Sequence, residues 1–212
     1  MMTEAQKTPR LKTCPFLLVV EGYGDLLFYA EALEFVELHG QVFIKEFTGV
    51  NDLKDQIETF LDDQILAEKT AVAVILDADS NAAGQIQSLA ALLHQITNRE
   101  LEHGVWSQGQ PNLGFFVVPD GKQEGEVETL AWNAWANDPK NAEPKQCIDN
   151  YLKCMAGKGI RAHSPDKGKI GALLAVKYDE DPRLGPGARH NVFDFNRPEF
   201  EPLLTFLRGF AN

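Results

Sequence analysis

The sequence predicts an α/β protein: a mostly parallel sheet with helices on both faces and a C-terminal helical extension. Three observations predict it. Apolar runs of strand length recur at 16–20, 71–79 and 113–120. Segments with apolar residues every three or four positions alternate with them. The runs are continuously apolar, the pattern of parallel strands covered on both faces.

"FLLVV" (16–20) is the first strand, and the segment 26–38 follows with apolar residues at 26, 27, 30 and 33, one helix face. "QVFIKEF" (41–47) is a second strand. "NDLKDQIETFLDDQIL" (51–66) opens on residues that cap helices and carries apolar residues at 53, 57, 60, 61 and 65, so it reads as one amphipathic helix. "AVAVILDAD" (71–79) is the strongest buried strand, and "GQIQSLAALLHQI" (84–96) is helical. "LGFFVVPD" (113–120) and "GEVETLAWNAW" (125–135) complete a repeated strand–helix alternation. Beyond residue 137 the pattern loosens. "NDPKNAEPK" (137–145) reads as a linker, "QCIDNYLKCMA" (146–156) and "KGKIGALLAVKY" (167–178) as helices, "DEDPRLGPGARH" (179–190) as a loop, and "PEFEPLLTFLRGF" (198–210) as a closing helix with proline near its start. The expected organisation is an α/β core over 14–136 and an extension over 137–212 packed on it.

Composition narrows the function classes. The chain of 212 residues is 44% hydrophobic and 24% charged, enough for a sizeable core. No run is long enough to span a bilayer, and "MMTEAQKTPRLKT" lacks the apolar centre of a secretory signal, reading instead as a frayed lead-in. Cys14, Cys147 and Cys154 show no CxxC spacing, which argues against a disulfide framework or a cysteine zinc site and points to a reducing cytoplasm. A formal net charge of −11 is a poor footprint for coating nucleic acid by a general positive field. It leaves open nucleic-acid binding through cations held on carboxylates.

The acids at strand ends carry the chemistry. Glu21 follows the first strand, with Asp25 about one helical turn on. The third strand ends in Asp77 and Asp79, the fourth in Asp120, and the helix after it begins with Glu126 and Glu128. In open parallel sheets ligands bind outside the carboxyl ends of the strands, so these acids are expected on one edge. In a strand, residues two apart point the same way, so Asp77 and Asp79 are expected to present oxygens to one cation. Clustered carboxylates repel unless cations sit among them, and an all-oxygen set suits a hard ion, Mg²⁺ first and Mn²⁺ second. The plainer reading is that Asp79 and Asp120 cap helices or turns, that Asp25 favours its helix dipole, and that Glu124 and Glu126 are surface acids. Glu21 is a weak cap directly behind a buried strand, which favours a functional role. Five histidines lack metal-like pairing, Trp132 and Trp135 suit a core or interface, and the two arginines in 183–195 suit a loop.

"VVEGYGD" (19–25) and "VILDADSN" (74–81), in this order and on these strands, resemble the TOPRIM domain. That fold is shared by type IA and type II topoisomerases, bacterial primases, small ribonucleases and the overcoming-lysogenization-defect nucleases. The resemblance covers about residues 14–135. Asp25, the later set Pro119, Asp120, Gly125 and Glu128, and the lysines Lys167 and Lys169 resemble more closely the small stand-alone TOPRIM-like proteins related to the nuclease branch. The resemblance implies Glu21 as general acid–base and metal neighbour. It implies Asp77 and Asp79 as Mg²⁺ ligands, Asp25 and Glu128 as a second metal position, and Lys167 or Lys169 as the neutraliser of phosphate charge. The chain departs from the pattern in reaching a glycine after D-x-D only at Gly84. It also lacks a module with a catalytic tyrosine, a zinc ribbon and a GxxxxGK[ST] loop, which argues against a topoisomerase, a primase or an ATPase.

The expected function is therefore Mg²⁺-dependent phosphodiester cleavage on nucleic acid, DNA or RNA. The alternatives are a non-catalytic metal-binding module working through a protein partner and, third, a phosphatase or nucleotidyl transferase on a small molecule. No membrane association is expected.

Overall fold

The computed structural model describes residues 11–211; residues 1–10, where the sequence predicts the polar lead-in, lie outside the described residues. Four strands, β1 (Phe16–Val20), β2 (Val42–Glu46), β3 (Ala71–Asp77) and β4 (Asn112–Val118), form one sheet in the order β2-β1-β3-β4. Every pairing is parallel, with Val20 opposite both Glu46 and Ile75, and Asp77 opposite Val118.

Helices cover both faces. Strand alternation sends Leu18, Val20, Ala73, Ile75, Phe116 and Val118 to one face. There they meet α1 (Tyr23–Phe35), α5 (Val127–Ala136), α7 (Pro165–Lys177), α8 (Leu184–Arg189) and α9 (Glu201–Arg208). Leu17, Val19, Val72, Val74, Leu76, Phe115 and Val117 point to the other face. They pack against Leu53 and Ile57 of α2 (Val50–Phe60), Ile65 and Leu66 of α3 (Asp63–Glu68), and Leu89 and Leu93 of α4 (Ala82–Thr97). Trp132 and Trp135 are core residues with ring centroids 5.3 Å apart. Leu203, Leu204, Phe206 and Leu207 of α9 lie in the same cluster as β1, so the C-terminal segment completes one face of the sheet. No helix among the described residues is long and apolar enough to cross a membrane.

Three segments differ from expectation. The helix expected over 51–66 is two, because Leu61 turns into the core and Asp62 restarts the chain by accepting from Ile65 N–H at 2.8 Å. The segment 137–145 is a 3₁₀ turn, Pro139–Asn141, running directly into α6 (Ala142–Ala156). The loop expected over 179–190 contains α8, whose Gly185 lies so close to α1 that a Cβ would meet Leu27 Cβ at 2.2 Å. Its arginines are occupied: Arg183 makes two bonds of 2.6 Å to Asp181, and Arg189 one of 2.8 Å to Glu31.

Candidate functional site

β1 lies between β2 and β3, so the chain leaves β1 toward one side of the sheet and leaves β3 toward the other. The carboxyl ends of β1 and β3 are therefore the switch point at which open α/β sheets form crevices. Glu21, Asp25 and Asp77 all lie there.

Asp77 follows Ala73 and Ile75 onto the face covered by α1 and α5. It is 9% exposed, and its Oδ1 accepts from Val127 N–H, at the start of α5, at 3.0 Å. Burial drives its pKa well above the ordinary value, and Asp25, Glu21, Glu128 and Glu126 push it further. Asp25 stands in the first turn of α1. Burial, then Glu128, then Glu21 push its carboxyl up to about 7, against the Gly22 N–H and Lys167. Glu128, in the first turn of α5, is raised by burial, with Lys167 opposing. Glu21 is raised by burial first and Asp79 second, while N–H groups of Val50 and Asp77 and the charge of Lys167 pull it back. Four carboxylates, from the exit of β1 and from α1, β3 and α5, thus form one negatively charged group, with Asp77 buried and the other three half-buried.

They are short of donors. Glu21 Oε2 and Glu128 Oε2 are buried without a hydrogen-bond partner. Such atoms are costly in a folded protein and are ordinarily met by a ligand, an ion or water. The helix starts ease the repulsion. Val50 opens α2 against Glu21, and Val127 opens α5 against Asp77, so partial positive charge faces two of the acids.

Lys167, in the first turns of α7, supplies the full positive charge. Its Nζ lies 3.1 Å from Glu126 Oε2, and it lowers Glu21, Asp25 and Glu128 together. Ser164, the residue before α7, donates its hydroxyl to the same Glu126 oxygen at 3.1 Å. Lys169 is placed elsewhere: it pairs with Asp166 at 2.7 Å and lies 5.5 Å from the centre of the Trp132 ring.

Asp79 is outside the strand. Its φ of +49° ends the alternation, so it does not repeat the environment of Asp77. It is exposed, accepts from Gln85 Nε2 at 3.5 Å, and reaches the group through Glu21. Its backbone exchanges two hydrogen bonds with Gly125, of 2.8 and 2.7 Å, clamping the exit of β3 to the entry of α5. Gly125 has φ +131°, and a Cβ there would meet Thr129 Oγ1 at 2.4 Å. Asp120 serves its own turn, accepting from Lys122 and Gln123 N–H at 2.9 and 2.8 Å.

Two members were not singled out from the sequence. Tyr29 is 2% exposed and its hydroxyl pKa is driven well above the ordinary range by burial and by Asp77, Asp25, Glu128 and Glu21. Its signal was available: it lies four residues after Asp25, on the same helix face. Glu126, read as a surface acid, is the hinge between α5, Ser164 and Lys167. That contact crosses a loop and a helix and leaves no local trace.

All candidate donors are oxygens, and two are orphaned and buried, so the chemistry fits a hard divalent ion. Among the described residues, no three His, Cys, Asp or Glu side chains are arranged to hold one ion as they stand.

The chain belongs to the family described as "Protein of unknown function (DUF3226)", whose model matches residues 15–212. No curated protein and no solved structure matches it.

Proposed function

We propose that this protein is a Mg²⁺-dependent phosphodiester-cleaving enzyme of the TOPRIM type acting on nucleic acid, with Mn²⁺ able to replace Mg²⁺. One observation carries the reading: acids from four separate elements converge at the switch point of the sheet and leave two buried oxygens unbonded. Glu199 Oε2 is also buried and unbonded but has Arg197 3.6 Å away, whereas Glu21 and Glu128 stand among other acids, with Lys167 as the nearby cation among the described residues.

Asp25, Asp77 and Glu128 would hold the ion, with Asp79 on the outer side beside Glu21. When bound, Mg²⁺ would neutralise phosphate charge and activate an attacking water. Glu21, raised by burial and Asp79, moves toward the range in which a carboxyl both donates and accepts a proton, the requirement for general acid–base work. Lys167 is half-exposed at the rim and would meet a phosphate oxygen that enters beside Glu126. Lys169, committed to Asp166 and Trp132, supports α7 instead.

A second reading has its own support: Asp77 already caps α5, and the net charge of −11 repels bare nucleic acid. In that reading the acids bind a cation for a non-catalytic module that works through a protein partner. Calorimetric titration of Mg²⁺ and Mn²⁺ into the protein and into an Asp25→Asn, Glu128→Gln variant, followed by cleavage assays on single- and double-stranded DNA and RNA, separates the two. Binding by the wild type alone, with cleavage, supports the enzyme. Binding without cleavage of any substrate supports the module. No binding in the presence or absence of oligonucleotide overturns both.

A further inference from the structure

Helix α6 differs from the other long helices of the fold. It is 15 residues long, yet none of its residues is buried. Ile148, Leu152 and Met155 are half-covered on the side of α7, the helix α6 contacts most. An adjoining side, about a quarter-turn round the helix, carries Glu143, Cys147, Tyr151, Cys154 and, in the turn that closes the helix, Lys158, spaced by three or four residues and all exposed. An isolated helix of this length is marginal in water, and Tyr151 is 53% exposed.

The stripe is complementary to itself when reversed. Laid antiparallel about a two-fold axis between Asn150 and Tyr151, Cys147 faces Cys154 of the second copy, and Glu143 faces Lys158. Neither Glu143 nor Lys158 has an ion-pair partner among the described residues. Ile160, just beyond α6, and Val176, near the end of α7, are also exposed, at 59% and 86%. The charge balance favours this surface. A chain of net charge −11 repels its own copies, whereas the segment 142–158 carries Lys145, Lys153 and Lys158 against Glu143 and Asp149. Such an interface is isologous, closed by one two-fold axis.

We propose that α6 is the homodimer surface of this protein: two copies pair antiparallel along the Glu143–Cys147–Tyr151–Cys154–Lys158 stripe. A seam of about 22 Å, from 15 residues at ~1.5 Å each, makes a modest interface, so the dimer is in reversible exchange with monomer.

The two exposed thiols report the geometry directly. Within one helix Cys147 and Cys154 are seven residues, or about 10 Å, apart, beyond the ~7 Å Cα limit for a disulfide. A bond between them must join two copies. Cys14 is buried and does not interfere. The full chain at about 100 μM is treated with diamide, which takes up the two electrons and two protons released as each disulfide forms. Wild type is expected to give a linked dimer. Cys147→Ser alone and Cys154→Ser alone are expected to give none, and their equimolar mixture to give a singly linked dimer. Sedimentation of untreated protein is expected to show concentration-dependent dimer, shifted at least tenfold toward monomer by Tyr151→Glu. Linkage in either single variant as efficient as in the mixture, or a monomer throughout, overturns the proposal.

Discussion

The sheet buries ionisable groups at both ends and treats them in opposite ways. At the amino end Lys69, 0% exposed, precedes β3 and donates to the carbonyls of Leu11 and Cys14, the latter at 2.9 Å. Burial lowers its pKa, but its donors have partners. At the carboxyl end Glu21, Asp25, Asp77 and Glu128 face each other with one nearby lysine and two orphaned oxygens. A buried charge bonded by its own chain belongs to the architecture. A group of like charges left short of donors is where an ion or ligand is expected to bind.

The largest expected effect sharpens that contrast. Glu21→Gln keeps the size of the side chain and removes its proton chemistry, so cleavage should fall by about 10²–10⁴-fold while circular dichroism is unchanged. Undiminished cleavage removes Glu21 from the mechanism. The mirror experiment is Lys69→Met, which takes the Lys69 donor from the buried carbonyl of Cys14 and the half-buried one of Leu11. It should cost about 2–4 kcal/mol in urea unfolding and leave Mg²⁺ affinity untouched; a loss of Mg²⁺ binding at unchanged stability would break the distinction between the two ends.

The third effect is on pH. Asp25 is raised from 3.8 to about 7 in the folded state, so between these values the folded chain binds more protons than the unfolded one. Metal-free stability should therefore fall as pH climbs from about 4 to about 7, with the other raised carboxyls, Asp77 above all, adding to the fall. Asp25→Asn should flatten this slope and raise metal-free stability at pH 8 by about 1–3 kcal/mol, read from thermal melts across pH. In wild type, saturating Mg²⁺ should restore the loss, by about 2.7 kcal/mol at a hundredfold excess over Kd; in the variant it should not. A wild-type melt independent of pH would show that the acids are not held together as described. The smallest effect is Lys169→Ala, which removes an ion pair within one helix and a contact to Trp132. It should cost under about 1 kcal/mol and leave cation affinity alone, whereas Lys167→Ala should tighten Mg²⁺ binding to the metal-free acids or weaken phosphate binding beside Glu126.

Local pattern alone was enough for the strands, for most helices, and for the placing of Glu21, Asp25 and Asp77 at the ends of buried runs, because alternation and helical periodicity are written in neighbouring residues. It also showed the all-oxygen chemistry. Pattern did not reach further. The helix over 51–66 divides because Leu61 is drawn into the core, a non-local force. Asp79 leaves the strand's alternation because its backbone pairs with Gly125, far along the chain. Lys167 enters the site and Lys169 does not because α7 packs against α5 at one particular rotation. Tyr29 and Glu126 join the acids only once strand order and register bring α1, β3, α5 and α7 to one edge. Propensity sets what each segment becomes; which side chains meet is decided by packing between segments, whose energies depend on distances the linear sequence does not contain.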